Sequence, residues 1–245
     1  MNRRNLLKSL VASTLVTAIP GISGSLFNTA AATSKTYPWK NWSGSQQCFP
    51  ANRAAPRTTT ELQSFIKNST GSVRAVGAGH SFSALVPTNE TILSLRRLSG
   101  LKSIDTSSKT ATFYAGTLLS EMGPILAEHD QALVNMPDID QQTLAGAVST
   151  ATHGTGESLG SLSSYVAGIE LVTASGELLK CSETENEDLF KAAQVGLGSL
   201  GIMTSVTLKN QSPFKLKRLA QWMSFEDVTA EAAKLAKENR NFEFF

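Results

Sequence analysis

Two segments rich in glycine and small hydroxyl residues, each containing a histidine, constrain this chain most strongly. The first, residues 74–81, overlaps the end of an apolar run at 73–76 that predicts a strand. The second spans residues 143–156. Glycine lets the backbone approach a ligand closely and turns consecutive N–H groups toward one point, and hydroxyls add donors without bulk. Either segment alone would fit a tight structural turn, whereas the pair favours a site for a pyrophosphate.

A third glycine segment, residues 196–201, matches the dinucleotide-binding pattern G-x-G-x-x-G. That pattern requires a strand before it and a helix after it, because the helix N-terminus must meet the phosphates. Here a predicted helix at 187–195 comes first and a predicted strand at 202–208 follows. The first segment fails the same test, since Phe82 stands where the third glycine is required. The sequence contains no P-loop and no G-x-S-x-G nucleophile elbow either.

The rest of the chain predicts helices mixed with strands. A threonine-capped helix is expected at 62–67 and a second helix at 117–129. Further strands are expected at 92–95 and in two hairpins, which join 102–105 to 110–115 and 166–173 to 177–181. This mixture predicts an α+β fold with two lobes that meet near residue 115.

Composition excludes several functions. Hydrophobic residues make up 41% and charged residues 17% of the 245, which is typical of a globular protein. Three of the 22 basic residues and none of the 20 acidic ones lie in residues 1–32, so the remainder is close to neutral and no basic patch suits nucleic acid. Cys48 and Cys181 offer neither a disulfide framework nor a metal-ligand pattern, so we expect no metal. We expect two buried thiols, and the alternative is a bridge between them in an oxidising compartment.

Residues 1–32 have the layout of a secretory signal peptide. Basic residues precede an uncharged apolar stretch at 9–19, and three alanines at 30–32 supply the small side chains that a signal peptidase needs. The stretch is too short to span a membrane, which takes about 20 apolar residues. The pair Arg3-Arg4 resembles the twin-arginine motif, and the alternative is an ordinary Sec signal. We expect export by the Tat translocase of a bacterium, to the periplasm or the periplasmic side of the membrane.

Three motifs together carry a family resemblance. They read Val-Gly-Ala-Gly-His-Ser-Phe-Ser at 76–83, Ala-Gly-Ala-Val-Ser-Thr-Ala-Thr-His-Gly-Thr-Gly at 145–156 and Gly-Ser-Leu-Gly-Ile at 198–202. In this order and spacing the set resembles the FAD-binding, PCMH-type domain of the aldonolactone oxidases and alditol oxidases, within the vanillyl-alcohol-oxidase superfamily. The resemblance covers about residues 46–220, and the motifs are specific together rather than singly.

The resemblance implies a two-subdomain α+β fold with FAD between the subdomains. The expected organisation is a signal peptide at 1–32, a linker at 33–45, the FAD-binding domain at 46–215 with subdomains 46–115 and 116–215, and the start of a second, substrate-covering domain at 216–245. Aromatic residues of the linker are expected to dock on the domain. By resemblance, the FAD contacts are Arg74, Ala75, Val76, Gly77, Ala78, Gly79, His80, Ser81, Thr143, Gly146, Ser149, Thr150, His153, Gly154, Thr155, Gly156 and Ile202.

His80 has two alternative roles under this resemblance. The family often attaches the flavin 8α-methyl group covalently at this position, and a neutral imidazole is a nucleophile suited to that reaction. Other relatives hold FAD without a bond, in which case His80 would be a hydrogen-bonding residue. Both alternatives stay open at the level of sequence.

The chain also departs from the family pattern. Family members continue into a second domain with a His-Trp-x-Lys motif, and this sequence contains no such motif. We therefore expect the catalytic residues to lie outside this sequence, and we expect a strand of the second domain to begin at 241–245. The parent enzyme is expected to oxidise a CH–OH group of an aldono-1,4-lactone or a polyol with FAD, and to pass the electrons to oxygen or another acceptor. The alternatives are an FAD-binding fragment without turnover and a periplasmic carbohydrate-binding protein without flavin.

Overall fold

The computed structural model describes residues 37–245, whose first sheet has three short parallel strands. These are β3 (Asn52–Ala54), β4 (Val73–Val76) and β5 (Thr91–Ser94), and β5 lies in the centre of the order β3-β5-β4. Helix α1 (Thr59–Lys67) connects β3 to β4, which lie on either side of β5. Strands that run in the same direction need such a crossover connection rather than a tight hairpin. The predicted signal peptide at 1–32 lies outside the described residues.

The second sheet has five antiparallel strands in the order β6-β7-β10-β8-β9. Two hairpins, β6–β7 and β8–β9, flank the central strand β10, as the sequence predicted for the hairpins. The strand bounds are Leu101–Asp105 for β6, Thr110–Tyr114 for β7, Val166–Val172 for β8, Leu178–Ser182 for β9 and Ile202–Lys209 for β10. A parallel sheet with its crossover helix beside an antiparallel sheet confirms the α+β prediction.

Local signals explain where the helices begin. In α1 the Thr58 hydroxyl accepts a hydrogen bond from the Glu61 backbone N–H, and Leu62 and Ile66 bury one face at i, i+4 spacing. The other helices are α2 (Leu119–Ala127), α3 (Leu144–Ser149), α4 (Glu187–Ala193) and α5 (Phe225–Glu238). The fold places α4 before and β10 after the third glycine segment, which confirms the order that excluded a Rossmann site.

One hydrophobic core joins most of these elements. Its fully buried side chains include Leu62 of α1, Leu93 of β5, Phe113 of β7 and Val206 of β10. The core therefore packs against both sheets. Side chains from the two sheets contact each other in it, so packing as well as the connecting chain holds the sheets together.

The change from one sheet to the other falls between β5 and β6, at residues 95–100. The sequence predicted that the two lobes meet near residue 115, at the end of the first hairpin. Hairpin β6–β7 belongs to the second sheet because β7 pairs with β10, from Tyr114 opposite Ser205 to Thr110 opposite Lys209. Such a long-range pairing leaves no local trace in the sequence. The domain bounds themselves stay a prediction.

The described part of the predicted linker is built into the fold. Strands β1 (Trp39–Lys40) and β2 (Gln47–Cys48) form a small hairpin, and Trp39 packs against a buried cluster of Cys48, Val76 and Ile92. Asn41 follows β1 and is only 5% exposed. Trp39 and Asn41 of the predicted linker are therefore packed against the domain, while the bounds of the linker stay a prediction.

Residues 212–222 are exposed, and helix α5 follows them. The strand predicted at 241–245 is wrong, since these residues have no regular structure and pair with no described strand. Among the helices of the described part of the chain, none has the length and apolar character that a membrane span would need.

Candidate cofactor site

A cavity of about 330 Å³ lies against the first glycine segment, where the chain leaves β4. Helix α3, the segment after β7 and the start of β10 supply its other walls. The structure brings most of the predicted site residues together here. Those that line the cavity are Arg74, Ala75, Val76, Gly77, Ala78, Gly79, His80, Ser81, Thr143, Gly146, Ser149, Thr150 and Ile202.

Close packing between the two glycine segments depends on Gly77. A Cβ atom at Gly77 would lie 2.2 Å from the Thr143 hydroxyl oxygen, which is far inside van der Waals contact. Thr143 is itself 2% exposed and immediately precedes α3. Gly79 has φ +73, a conformation that a residue with a side chain adopts only at a cost. Glycine at these two positions is therefore required for the loop to run along α3.

Backbone hydrogen bonds connect helix α3 to residues 115–117, which follow β7. The Leu144 N–H donates to the Thr117 carbonyl at 2.8 Å and the Ala145 N–H to the Ala115 carbonyl at 3.1 Å. Gly116 lies so close to the preceding loop that a Cβ would be 2.0 Å from the Leu95 carbonyl oxygen. Ala115 and Gly116 line the cavity through this contact, although the sequence did not single them out.

The donor set of the cavity suits a phosphate-bearing ligand. The backbone N–H groups of residues 77–81 donate a hydrogen bond to no acceptor among the described residues. The hydroxyls of Ser81 and Ser149 likewise have no partner within the described chain. Unpaired donors next to a cavity either meet a ligand or meet water. Two arginines, Arg74 and Arg96, lie in the lining, and none of the described lining residues is acidic.

The second glycine segment divides at residue 150. Thr143, Gly146, Ser149 and Thr150 reach the cavity through α3, whereas His153, Gly154, Thr155 and Gly156 do not line it. The Thr155 carbonyl instead accepts hydrogen bonds from the side-chain amides of Asn135 at 3.2 Å and Asn241 at 2.7 Å.

Its two glycines are required by backbone packing. A Cβ at Gly154 would lie 2.1 Å from the Met136 carbonyl oxygen, and one at Gly156 would lie 2.7 Å from that of Arg240. The His153 side chain is exposed, with Nδ1 2.9 Å from the Gly154 carbonyl oxygen. The predicted FAD contacts of residues 153–156 therefore stay a prediction.

The cavity includes residues that were not predicted from the sequence. Gly198 and Gly201 could have been found, because both belong to the third motif. In the structure both have positive φ, +75 and +144. Arg96, Gln142, Leu85 and Val86 carry no motif. Only the packing of their loops against the glycine segments brings them to the cavity.

The class of protein follows from comparison with known families. Residues 50–182 match the family described as FAD binding domain, and the chain belongs to this family. The prediction of FAD as cofactor is thereby confirmed. The cationic, donor-rich lining and the close glycine contacts fit the diphosphate of that cofactor.

The individual relatives are named as dehydrogenases or oxidases of sugar lactones. The L-gulono-1,4-lactone dehydrogenase of Mycobacterium tuberculosis is 36% identical over 210 residues, 84% of this chain and 48% of that protein. The L-gulonolactone oxidase of Bos taurus is 30% identical over 213 residues, 86% of this chain and 48% of that protein. The D-arabinono-1,4-lactone oxidase of Debaryomyces hansenii is 32% identical over 205 residues, 77% of this chain and 37% of that protein. The chain thus spans about half the length, or less, of these relatives.

Proposed function

We propose that this chain is the FAD-binding part of an oxidoreductase that oxidises a CH–OH group of a sugar lactone, of the aldono-1,4-lactone type. The observation that carries the proposal is a cationic cavity between two glycine segments, in a chain whose relatives are oxidases and dehydrogenases of gulono- and arabinonolactones. An alditol oxidase is the second candidate, because the three sequence motifs are shared between the two groups.

The residues of this chain would divide the work of holding the cofactor. The backbone N–H groups of 77–81 and the hydroxyls of Ser149 and Thr150 would bind the diphosphate, and the arginine side chains would balance its charge. Apolar lining residues such as Ile202 and Met203, both 8% exposed, would exclude water from the ring system. The flavin, when bound, supplies the acceptor for the hydride that leaves the substrate carbon.

Anaerobic flavin reduction tests the substrate class. Purified, FAD-loaded protein is mixed with L-gulono-1,4-lactone, D-arabinono-1,4-lactone or xylitol, and the loss of oxidised-flavin absorbance is followed. We expect reduction by a lactone in the protein extended to the length of its relatives. Reduction by xylitol alone would favour the alditol oxidase. A yellow protein that no substrate reduces, at either length, would favour an FAD-binding module, and a colourless protein would contradict the proposal. Admitting oxygen or a dye then separates an oxidase from a dehydrogenase.

We also propose His80 as the residue that bonds covalently to the flavin. His80 lines the cavity, and it follows directly on glycines that line the same cavity. Acid precipitation should leave flavin fluorescence in the wild-type pellet and release it from the His80→Ala variant. If the wild-type protein releases its flavin equally, His80 holds the cofactor without a bond, and the FAD site itself is unaffected by that result.

Export through the Tat pathway is a separate proposal, which rests on Arg3 and Arg4. Changing both to lysine should leave unprocessed protein in the cytoplasm of a bacterial host, because the Tat system needs the arginine pair. Continued export of the double-lysine variant would instead assign the leader to the Sec pathway.

A further inference from the structure

Hydrogen bonds connect the turn between β1 and β2 to the loop that contains His80. The Trp42 backbone N–H donates to the Gly79 carbonyl at 2.8 Å. The Asn41 side-chain amide donates to the Ser81 carbonyl at 3.0 Å, and the Gln46 side-chain amide donates to the Phe82 carbonyl at 3.3 Å. One turn thus binds three carbonyls that flank His80, one before it and two after it. The N–H groups of residues 77–81 in the same loop have no partner among the described residues.

The turn is itself held in shape by Asn41. The Asn41 side-chain oxygen accepts from the Gln46 N–H at 2.9 Å, and its side-chain nitrogen lies 3.1 Å and 3.2 Å from the hydroxyls of Ser43 and Ser45. Burial of an amide is favourable only when its polar atoms are paired, and these contacts pair both ends of the side chain. Asn41 therefore links the shape of the turn to the position of Ser81.

Trp42 contacts His80 directly. The indole and imidazole rings are stacked, with centroids 5.4 Å apart and planes 19° from parallel. Trp42 is nevertheless 69% exposed, so its ring is not retained there by burial in the core. A Cβ at Gly79 would lie 3.4 Å from the Trp39 ring and 3.6 Å from the Asn41 Cα, so this part of the loop packs against the turn. The His80 ring therefore faces Trp42, and the carbonyl of the next residue, Ser81, is bound by Asn41.

We propose that Asn41 and Trp42 are positioning residues for His80, and that they set the ring orientation which His80 presents to the cofactor. The role of His80 toward the cofactor rests on the proposed function. The stacking of Trp42 on His80 does not depend on it. The expected signature is therefore twofold. Stacking on an indole should shift the His80 ring protons in the flavin-free protein, and loss of the stack should weaken FAD retention by about two- to tenfold, the range of an aromatic pair.

NMR of the flavin-free protein tests the positioning without any reaction. The chain has three histidines, so His129 and His153 serve as internal references for the His80 ring signals. In Trp42→Leu the His80 signals should move toward the position of an unstacked imidazole. In Trp42→Phe, which keeps an aromatic ring, they should move less. Identical His80 signals in wild-type protein and Trp42→Leu would overturn the proposal.

Flavin binding then tests the consequence. Trp42→Leu should retain FAD less tightly, or bond it to His80 more slowly, than wild type, and Trp42→Phe should recover part of the difference. Phe49→Leu is the matched control, since Phe49 is also an exposed aromatic, at 53%, and lies next to β2 rather than in the turn. Equal flavin binding by wild-type protein and a folded Trp42→Leu variant would contradict the positioning role. A wild-type protein that binds no FAD would instead contradict the proposed function, with the NMR result unaffected.

Discussion

Gly77 is the residue at which a single added atom should disturb the cavity most directly. In Gly77→Ala the new Cβ would meet the Thr143 hydroxyl, whose atoms are buried against α3 and cannot move freely. We expect a loss of stability of about 1–3 kcal/mol, the range for overpacking, together with weaker FAD retention. Urea unfolding of the flavin-free protein and the fraction of flavin retained on desalting measure the two effects.

A double variant shows whether the contact with Thr143 is the cause. Thr143→Ala removes the atoms that the alanine at position 77 would strike, so the double variant should be more stable than the sum of the single effects predicts. Gly123→Ala is the control, because a Cβ at Gly123 meets nothing within 4 Å. Additive effects of the two substitutions at 77 and 143 would show that strain elsewhere in the loop is responsible.

Among the elements, the five-stranded sheet carries a charged group whose protonation should be measurable. Burial alone raises the pKa of Glu170, but hydrogen bonds from Lys102 and Ser205 and the charges of Lys102 and Lys180 outweigh it, so the pKa lies below its ordinary value. Glu170 on β8 thereby connects strands β6, β9 and β10. These contacts are made by the ionised form.

The pH dependence of stability follows from the sign of this shift. A carboxyl with a lowered pKa in the folded state stabilises the fold above its unfolded pKa, about 4.3, and that contribution is lost as the pH falls through the folded value. We expect Glu170→Gln to cost about 1.5–3 kcal/mol at neutral pH, the net value of a hydrogen bond to a charged group, and to flatten the decline of stability toward low pH.

Chemical unfolding at a series of pH values measures this difference. Glu187→Gln is the control, since Glu187 also pairs with a lysine, Lys191, but lies at the surface, where solvent screens the pair. If the curves for wild-type protein and Glu170→Gln stay parallel down to low pH, the Glu170 contacts contribute nothing that depends on ionisation.

At the scale of the whole molecule, the segment before α5 exposes three large apolar side chains. Leu216 is 63% exposed, Leu219 76% and Trp222 fully exposed. Exposed apolar side chains that follow each other along a chain promote association. We expect the 245-residue chain to bind a hydrophobic dye and to self-associate as its concentration rises, and Leu219→Ser with Trp222→Ser to reduce both.

Dye fluorescence and sedimentation at several concentrations measure this. Lys217→Ser lies in the same exposed segment and removes no apolar surface, so it serves as the control. If the double serine variant and the control behave alike, the apolar side chains of this segment are not the cause of association.

The sequence by itself determined the features that depend on short stretches of chain. The capped helix α1, both hairpins of the second sheet and the strand before the first glycine segment follow from caps, turns and β-branched runs, which act over a few residues. Thirteen of the predicted site residues share one cavity, because the first glycine segment and α3 were each recognisable from local composition. The family and its cofactor followed from the order of three such segments.

Tertiary structure alone decided what depends on contacts between distant residues. The pairing of β7 with β10 places hairpin β6–β7 in the second sheet. The Asn135 and Asn241 amides donate to the Thr155 carbonyl, and Thr155 does not line the cavity. The turn at Asn41 and Trp42 looked like linker, because its polar residues are typical of one. Its partners, Gly79 and Ser81, lie some 40 residues further along the chain. No local pattern specifies such a contact, since it forms only when the core has brought the two loops together.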